Sequence, residues 1–252
     1  FIGAHFFVSF KGAMGRSNAF LWNRLPTSGV GKSPRPCACQ SIVEFEGKLY
    51  VFGGAVLGHT FADVFSFDIA RSTWRLEETK NQEVVTGRMS HSAVVHEDCM
   101  VVYGGMNTLL MHSELLSLNL RTLEWSVLPQ SSSKQPGVRR SHAAAVLEGK
   151  MYVSMGVPSL PSPDLWAYDF RTHQWDALET TQRFGIPPFP LHGHSLAALE
   201  RCLFLFGGAS TLPSGMTVYL NALHSYNTQT GVWAEILVTQ GPRPSPRYSH
   251  VM

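Results

Sequence analysis

A hydrophobic run that ends in a glycine pair recurs four times along this chain of 252 residues. The first glycine of the pair falls at Gly53, Gly104 and Gly207, and Met155 takes the same place in the third copy, so the copies lie 51, 51 and 52 residues apart. A period near 50 residues is typical of propeller blades, in which each repeat forms one supersecondary unit. The four copies read GKLYVFGG (47–54), DCMVVYGG (98–105), GKMYVSMG (149–156) and RCLFLFGG (201–208).

Each repeat contains enough strand signals for a four-stranded sheet. A short apolar run precedes each glycine pair and forms a predicted hairpin with it: SIVEF, SAVVH, AAAVL and SLAAL. A third segment alternates with period two and ends in Asp or Asn, residues that favour turns: DVFSFD, ELLSLN, DLWAYD and ALHSYN. A tryptophan follows six residues later and marks the fourth strand: Trp74, Trp125, Trp175 and Trp233.

The recurring residue types suit a stack of sheets around an axis. We expect the tryptophans to bury a large apolar area between adjacent sheets. We expect the glycines to allow backbone geometry that a Cβ forbids, and close approach where the inner strands crowd the central axis.

The predicted fold is an all-β propeller with four complete four-stranded blades and partial blades at both ends. The predicted boundaries are 1–32 for a degenerate partial blade or N-terminal extension, 33–79, 80–130, 131–180 and 181–238 for the four blades, and 239–252 for the first strand of a further blade. In a rival arrangement the terminal strand at RYSHVM pairs with the N-terminal remnant and closes a five-bladed ring.

The repeat resembles the Kelch repeat, whose hallmarks are a hydrophobic run ending in Gly-Gly, a spaced aromatic strand and a tryptophan. The resemblance runs from about Ser33 to Met252 and is closest to the long-repeat, Rab9-effector-like and Kelch-domain-containing types. These carry Arg-x-x-His before the first strand, seen here as RMSH (88–91), RRSH (139–142) and RYSH (247–250). The resemblance implies six or seven blades, so we expect this chain to be a fragment of a larger ring.

Composition disfavours several kinds of partner. The formal charge of +2, with acidic and basic residues interspersed, gives no footprint for nucleic acid or an anionic membrane. Four cysteines are too few for a secreted disulfide scaffold and lack a zinc-type spacing. We therefore expect an intracellular, cytoplasmic protein that binds protein partners.

The loops after the glycine pairs are the predicted recognition surface, because loops on a rigid frame are the usual home of binding residues. They are unusually apolar for exposed segments, and such patches mark interaction sites. The alternative is that these side chains fold back over the blade edges as small satellite cores. The apolar candidates are Leu110, Met111, Leu160, Leu212, Met216 and Tyr219.

The repeated arginines allow two interpretations. Arg88, Arg139 and Arg247 form a ring near one channel mouth that suits the carboxylates or phosphates of a ligand. The favoured alternative is that each Arg and His satisfies backbone carbonyls between blades. Loop residues that do not recur are better candidates for specificity: His59, Asn107 and His112.

We predict no catalytic residue, cofactor or metal. HGH (192–194) would need a third ligand for zinc or copper, and the thiols of CAC (37–39) occupy positions with ordinary residues in the second copy. The sequence holds no Gly-x-Ser-x-Gly, P-loop or His-Glu-x-x-His motif. The predicted function is a protein-interaction module, for which the resemblance implies roles as a ubiquitin-ligase substrate receptor or assembly scaffold. The alternatives are a galactose-oxidase-like Kelch enzyme and a secreted, attractin-like propeller.

Overall fold

The protein is built from antiparallel strands, as the sequence predicts. The computed structural model describes residues 7–8, 23–24, 32–158, 165–178, 190–237 and 240–250. In these ranges the helical structure is one short 3-10 turn, Gln82–Val84. No helix in the described part of the chain is long and apolar enough to cross a membrane.

Four sheets of four strands each follow one another along the chain, and each is paired in simple sequential order. Their strands are Ser41–Phe45, Lys48–Phe52, Val64–Asp68 and Thr73–Leu76 in sheet 1; Ser92–His96, Cys99–Tyr103, Leu115–Asn119 and Glu124–Val127 in sheet 2; Ala143–Leu147, Lys150–Ser154, Leu165–Asp169 and Gln174–Ala177 in sheet 3; and Ser195–Leu199, Cys202–Phe206, Leu223–Asn227 and Val232–Glu235 in sheet 4.

The tight turns use the residues that the sequence marks. Glu46 and Gly47 both take a positive φ between the first and second strands of sheet 1, as the commonest two-residue hairpin requires. Between the third and fourth strands of sheet 2, the side chain of Asn119 accepts hydrogen bonds from the backbone N–H of Arg121 and Thr122 at 3.0 and 2.9 Å. The Asp or Asn that ends each third strand is therefore a turn residue, as predicted.

The sheets pack in the propeller arrangement. The first strand of each sheet lies beside the first strand of the next, from sheet 1 to sheet 4. Three hydrophobic clusters fill the spaces between consecutive sheets, each built from one face of one sheet and the facing side of its successor. We call each junction between consecutive sheets a seam and number the seams from sheet 1.

The repeated tryptophans lie in these clusters. The ring of Trp125 in sheet 2 packs on Phe52 of sheet 1 at 5.1 Å between centroids, and that of Trp175 in sheet 3 packs on Tyr103 of sheet 2 at 5.2 Å. Trp233 lies in the cluster of the third seam. The prediction that tryptophan binds adjacent blades together is confirmed at these three seams.

The glycine pairs make their close contacts at the seams. A Cβ on Gly53 would lie 2.7 Å from the carbonyl oxygen of Arg88 and 2.9 Å from the ring of His91, both in the segment that leads into sheet 2. The N–H of Gly54 donates to the same Arg88 carbonyl at 2.9 Å. The expected close approach is real, but it joins one sheet to the entry of the next.

We name the four residues before each first strand the lead-in: 37–40, 88–91, 139–142, 191–194 and 247–250. The last residue of most lead-ins is a histidine that bonds a serine of the preceding sheet. The Nε2–Oγ distances are 2.8 Å for His91 and Ser41, 2.8 Å for His142 and Ser92, 2.6 Å for His194 and Ser154, and 2.9 Å for His250 and Ser195.

In the third seam, the lead-in histidine bonds a serine of the second strand instead of the first strand. Ala143 stands where the other sheets have Ser41, Ser92 or Ser195, and its partner across the hairpin is Ser154. Ser154 occupies the position that holds an aromatic ring in the other three sheets. The serine hydroxyl thus comes from the second strand in sheet 3 and from the first strand in the other sheets, and His194 still has a hydrogen-bond partner.

The third residue of each lead-in links neighbouring sheets by backbone hydrogen bonds. All five of these residues have a left-handed backbone, and each of the last four donates its N–H to the carbonyl of its counterpart in the preceding lead-in. The bonds run from Ser90 to Cys39 at 2.9 Å, Ser141 to Ser90 at 2.8 Å, Gly193 to Ser141 at 2.8 Å and Ser249 to Gly193 at 2.6 Å.

The terminal segments also contain described residues. Phe7–Val8 and Asn23–Arg24 pair as a two-stranded antiparallel sheet of their own. Residues 247–250 make the contacts of a lead-in against sheet 4, through Ser249 and His250. The strand that the rival five-bladed closure needs includes residues 251–252, which lie outside the described residues.

Replacing Trp125 by alanine should lower the free energy of unfolding by about 3–5 kcal/mol, because a fully buried indole leaves a cavity in the first seam. Equilibrium unfolding in urea measures the change. Leu109→Ala is the matched control, since Leu109 is exposed and should change stability by less than about 0.5 kcal/mol. Equal effects of the two substitutions would contradict the role of Trp125 in the seam.

Ser154→Ala should cost about 1–3 kcal/mol of unfolding free energy, because it leaves Nε2 of the buried His194 without its serine partner. Adding Ala143→Ser places the hydroxyl where the other sheets carry it, so the double variant should recover part of the loss. Urea unfolding of the two variants tests this. A loss that Ala143→Ser leaves unchanged would show that the hydroxyl does not serve His194.

Candidate protein-interaction face

Two kinds of loop meet at one edge of the sheets. Each first strand starts at its lead-in, so the second strand ends at the same edge, where the chain turns into the third strand. The fourth strand also ends there and passes to the next lead-in. We call this edge the loop face. The opposite edge carries only the tight turns between the first and second and the third and fourth strands, and we call it the hairpin face.

Large apolar side chains project from the loop face on three sheets. In sheet 1 Leu57 is 95% exposed, and in sheet 2 Leu109 is 88% and Leu110 53% exposed. In sheet 4 Met216 is 58% and Tyr219 50% exposed. Exposed apolar side chains grouped on one face are typical of interaction surfaces. The alternative of satellite cores does not describe these five side chains, because half or more of each is open to solvent.

The loop of sheet 2 is held in shape by a local hydrogen-bond network. Asn107 accepts hydrogen bonds on Oδ1 from the backbone N–H of Leu109 and Leu110, at 2.8 and 3.0 Å. Met106 and Met111 form an isolated bridge across its base, and Met111 is half-buried. Asn107 therefore positions the two leucines, and its contact with a partner stays a prediction.

The loop of sheet 4 is a hairpin with an aromatic pair beside it. Its strands are Ala209–Thr211 and Thr217–Tyr219, and the N–H of Leu212 donates to the carbonyl of Met216 at 2.9 Å. The ring of Tyr219 stacks on Tyr248 of the last lead-in at 5.0 Å. Backbone pairing thus fixes the tip on which Met216 is displayed.

The loop of sheet 1 is a shorter hairpin of the same type. Its strands are Ala55–Val56 and His59–Thr60, and Leu57 lies at the turn. His59, which the sequence analysis proposed for specificity, is exposed here. It remains available to a partner beside Leu57.

Arg88 and His112 are buried around one carboxylate. Nη2 of Arg88 lies 2.7 Å from Oε1 of Glu114, and Nδ1 of His112 lies 3.0 Å from the same oxygen. Burial opposes ionisation of Glu114, but the hydrogen bonds from His112 and Arg88 and the positive charge of Arg88 outweigh it and hold the pKa of Glu114 well below its usual range. Arg88 also donates from Nη1 to the carbonyl of Gly104 at 3.1 Å.

The arginine ring that we considered as a ligand site is therefore not available as such. Arg88 and Arg139 are buried, and Arg139 donates from Nη1 to the carbonyl of Met155 at 3.1 Å. These bonds satisfy carbonyls at the glycine-pair positions, which is the interpretation that the sequence analysis favoured. Arg88, Arg139 and the buried His112 have too little exposed surface to contact a partner, and we no longer propose them as binding residues.

The other predicted positions differ in their exposure. Arg247 is exposed and bonds Ser245 through Nε and Nη2, at 3.0 and 3.1 Å. Leu212 is 37% exposed at the tip of the sheet 4 loop. Leu160 lies outside the described residues.

Exposed residues that sequence reasoning did not select include Leu57 and Tyr248. Leu57 precedes Gly58 in a two-residue turn and takes a positive φ of 48°, which is unusual for a leucine. The signal in the sequence was an apolar residue next to a turn glycine, since turns lie at the surface. Tyr248 lies within a repeated lead-in, and a recurring position indicates a structural role instead of an exposed one.

The histidines and cysteines that suggested chemistry have structural roles in this fold. His194 bonds Ser154, and the backbone of His192 bridges Ala209. Sγ of Cys37 lies 3.9 Å from the carbonyl of Gly53, the place that Arg88 takes in the next sheet. All four cysteines are free thiols. Within the described ranges, no three His, Cys, Asp or Glu side chains are grouped as metal ligands would be.

Burial keeps the lead-in histidines neutral. Burial, reinforced by the charge of Arg88, lowers the pKa of His91 from 6.5 to about 3. Burial likewise lowers the pKa of His194 to about 3 and holds that of His142 well below 6.5. A charged imidazole at these places would lose its hydration, and its Nδ1 has no hydrogen-bond partner among the described residues.

Comparison with known proteins agrees with this architecture. The family model described as Attractin/LZTR1 beta-propeller matches residues 49–251. The human Rab9 effector protein with kelch motifs is 30% identical over 170 residues, which are 64% of this chain and 44% of that protein. The bovine Kelch domain-containing protein 3 is 28% identical over 223 residues, 81% of this chain and 57% of that protein.

A longer match links the chain to a larger relative. The Drosophila melanogaster leucine-zipper-like transcriptional regulator 1 homolog is 26% identical over 285 aligned positions, which cover 99% of this chain and 28% of that protein. The chain thus spans 28% to 57% of the length of these three relatives.

Stability should fall as the pH drops from 7 to 5. Because the folded pKa of His91 and His194 is about 3 and their ordinary value is 6.5, the unfolded chain binds more protons below pH 6.5. Their contribution is complete above pH 6.5 and is lost progressively towards pH 3, at roughly 1.4 kcal/mol per pH unit for each histidine.

Urea unfolding at several pH values measures the slope of the unfolding free energy against pH. His194→Gln should reduce it, whereas the control Leu57→Gln, at an exposed residue without a titratable group, should not. An unchanged slope in His194→Gln would refute the assignment.

Proposed function

Because the chain belongs to the Attractin/LZTR1 β-propeller family, we propose that it is a protein-interaction module whose loop face recognises an extended peptide or a loop of a partner protein. The observation that carries the proposal is the set of exposed apolar tips on this face, from Leu57 in sheet 1 through Leu110 in sheet 2 to Met216 in sheet 4. A folded chain keeps such side chains in water at a cost, and a partner that covers them removes it.

The shape of the face favours a partner segment that reaches several sheets. The apolar tips come from separate loops, each fixed by its own backbone pairing, so they form raised contacts on a rigid base. The stacked pair of Tyr219 and Tyr248 adds a flat surface that is both apolar and able to form hydrogen bonds. Tyrosine is enriched at the centres of protein interfaces for this reason.

Arg247 remains a proposed contact from the sequence analysis. Its Nε and Nη2 bond Ser245, as those of Arg88 bond Thr86, so its described contacts are those of a lead-in arginine. We propose that a carboxylate of the partner pairs with its guanidinium beside Tyr248.

The names of the relatives fit this kind of role. The human relative is by name an effector of Rab9, and an effector acts through contact with another protein. An adaptor that holds one protein for another needs such a face, whether it acts as a ubiquitin-ligase substrate receptor or as an assembly scaffold. We propose an intracellular, cytoplasmic setting, which suits four cysteines that remain free thiols.

The double substitution Leu110→Ser and Met216→Ser tests the proposal. A random peptide library displayed on phage is selected on the purified chain, and the affinity of the selected peptides for each variant is measured by calorimetry. Loss of two large apolar contacts should weaken binding at least tenfold, since an interface residue of this kind contributes on the order of 1 kcal/mol or more.

Leu199→Ser is the matched control, because Leu199 is 63% exposed but lies at the hairpin face. It should leave peptide affinity unchanged. Peptides that bind the double variant as tightly as the parent chain, or that lose binding with Leu199→Ser, would overturn the assignment of recognition to the loop face.

A further inference from the structure

A cavity of about 290 Å³ opens on the hairpin face, in the first seam between sheet 1 and sheet 2. Ligand cavities in proteins range from about 300 to 1,000 Å³, so this space is of the size that a small molecule needs. The lining comes from the turns and strand starts that face each other across the seam: Phe45, Glu46, Lys48, Tyr50, Leu120 and Arg121.

The second seam shows why the first seam has room at this place. His96 ends the first strand of its sheet as Phe45 does, and Phe170 follows the third strand of its sheet as Leu120 does. The rings of His96 and Phe170 stack at 3.9 Å between centroids and close the space between sheets 2 and 3. Leu120 has a smaller side chain than Phe170, and the corresponding space in the first seam stays open.

Tyr50 directs a hydroxyl group into the cavity. The residue is only 4% exposed, and its hydroxyl has no hydrogen-bond partner among the described residues. Burial, reinforced by the negative charges of Glu77 and Glu46, raises the pKa of Tyr50, so the group stays protonated at neutral pH and can donate. Because buried polar groups are normally paired, this hydroxyl favours a ligand that offers an acceptor.

Two opposite charges line the same cavity without pairing with each other. Glu46 accepts hydrogen bonds from Arg121, on Oε2 from Nη1 at 3.2 Å and on Oε1 from Nη2. Nε of Arg121 lies 2.9 Å from Oδ2 of Asp98, so this guanidinium is shared by two carboxylates. Lys48 forms no ion pair within the described ranges. The cavity therefore presents an unpaired ammonium group and a carboxylate that retains free acceptor sites.

We propose that this cavity binds a small zwitterion of the α-amino acid class. The carboxylate of the ligand accepts hydrogen bonds from Nζ of Lys48 and from the hydroxyl of Tyr50. The ammonium group of the ligand donates to Glu46, whose two oxygens offer about four acceptor sites and can hold Arg121 at the same time. The proposal is independent of the function proposed for the loop face, because the cavity lies at the opposite edge of the sheets.

Titration with L-glutamine, followed by the backbone amide signals of Lys48 and Leu120 in NMR spectra, tests the proposal. These signals should shift and reach saturation. N-acetyl-L-glutamine lacks the ammonium group and L-glutaminamide lacks the carboxylate, so each should bind roughly tenfold more weakly, since each loses a charge-assisted hydrogen bond. Shifts that do not saturate, or a blocked compound that binds as tightly as L-glutamine, would overturn the proposal.

Substitutions in the lining test the same contacts from the side of the protein. Lys48→Gln and Tyr50→Phe should each reduce the affinity for L-glutamine roughly tenfold. Lys150→Gln is the matched control, because Lys150 has the same place in sheet 3 but its Nζ lies 3.9 Å from Oδ2 of Asp169. An affinity that Lys48→Gln leaves unchanged, or that Lys150→Gln lowers equally, would contradict the assignment.

Leu120→Phe tests the position of the ligand. It introduces the ring that sheet 3 carries at Phe170, so the chain should remain folded while the cavity is filled. The folded variant should no longer bind L-glutamine. Binding like that of the parent chain would show that L-glutamine lies elsewhere and would refute the proposed site.

Discussion

The fold depends on a small set of hydrogen bonds that join each sheet to the entry of the next. The second glycine of each pair donates to the first carbonyl of the following lead-in, from Gly54 and Arg88 to Gly208 and Arg247. A Cβ on the first glycine would come within 2.7 Å of that carbonyl. Because buried backbone groups must be paired, this contact fixes the distance between neighbouring sheets at this point. The tryptophans then fill the space that the contact leaves.

The third seam shows that the contacts persist although the residues change. Met155 replaces the first glycine and keeps a positive φ of 51°, and Leu191 replaces the arginine, yet Gly156 still donates to the Leu191 carbonyl at 2.9 Å. Met155 and Leu191 join the same hydrophobic cluster. A strained backbone in a non-glycine residue persists when its surroundings hold it in place. A backbone hydrogen bond is thus the stable element of the repeat, and the side chains around it are exchangeable.

Sequence periodicity predicted the strands and the turns because these depend on neighbours within one repeat. Asn119, for example, bonds the backbone of residues two and three positions further on. The tryptophans were predictable for another reason: each recurs at a fixed distance from its turn, and a large aromatic residue repeated in this way indicates packing between sheets. The seam partners were not predictable in the same way, since Ser41 and His91 lie 50 residues apart and each looks ordinary in its own repeat. The role of Arg88 could not be decided from the sequence, because a recurring arginine can bind either a ligand or a backbone carbonyl. Only its burial against Gly104 and Glu114 decides between them.

The residues that hold the seams differ from the residues that we propose for recognition. Seam contacts come from lead-ins, glycine pairs, strands and turns, whereas Leu57, Leu110 and Met216 are exposed at the tips of the loop face. In a stack of repeats the stability is close to a sum over units and neighbouring interfaces, so a change at a tip leaves that sum almost untouched. The loops are therefore free to carry apolar residues that would weaken a less rigid frame. A surface of this kind can be specialised for one partner without altering the sheets that hold it.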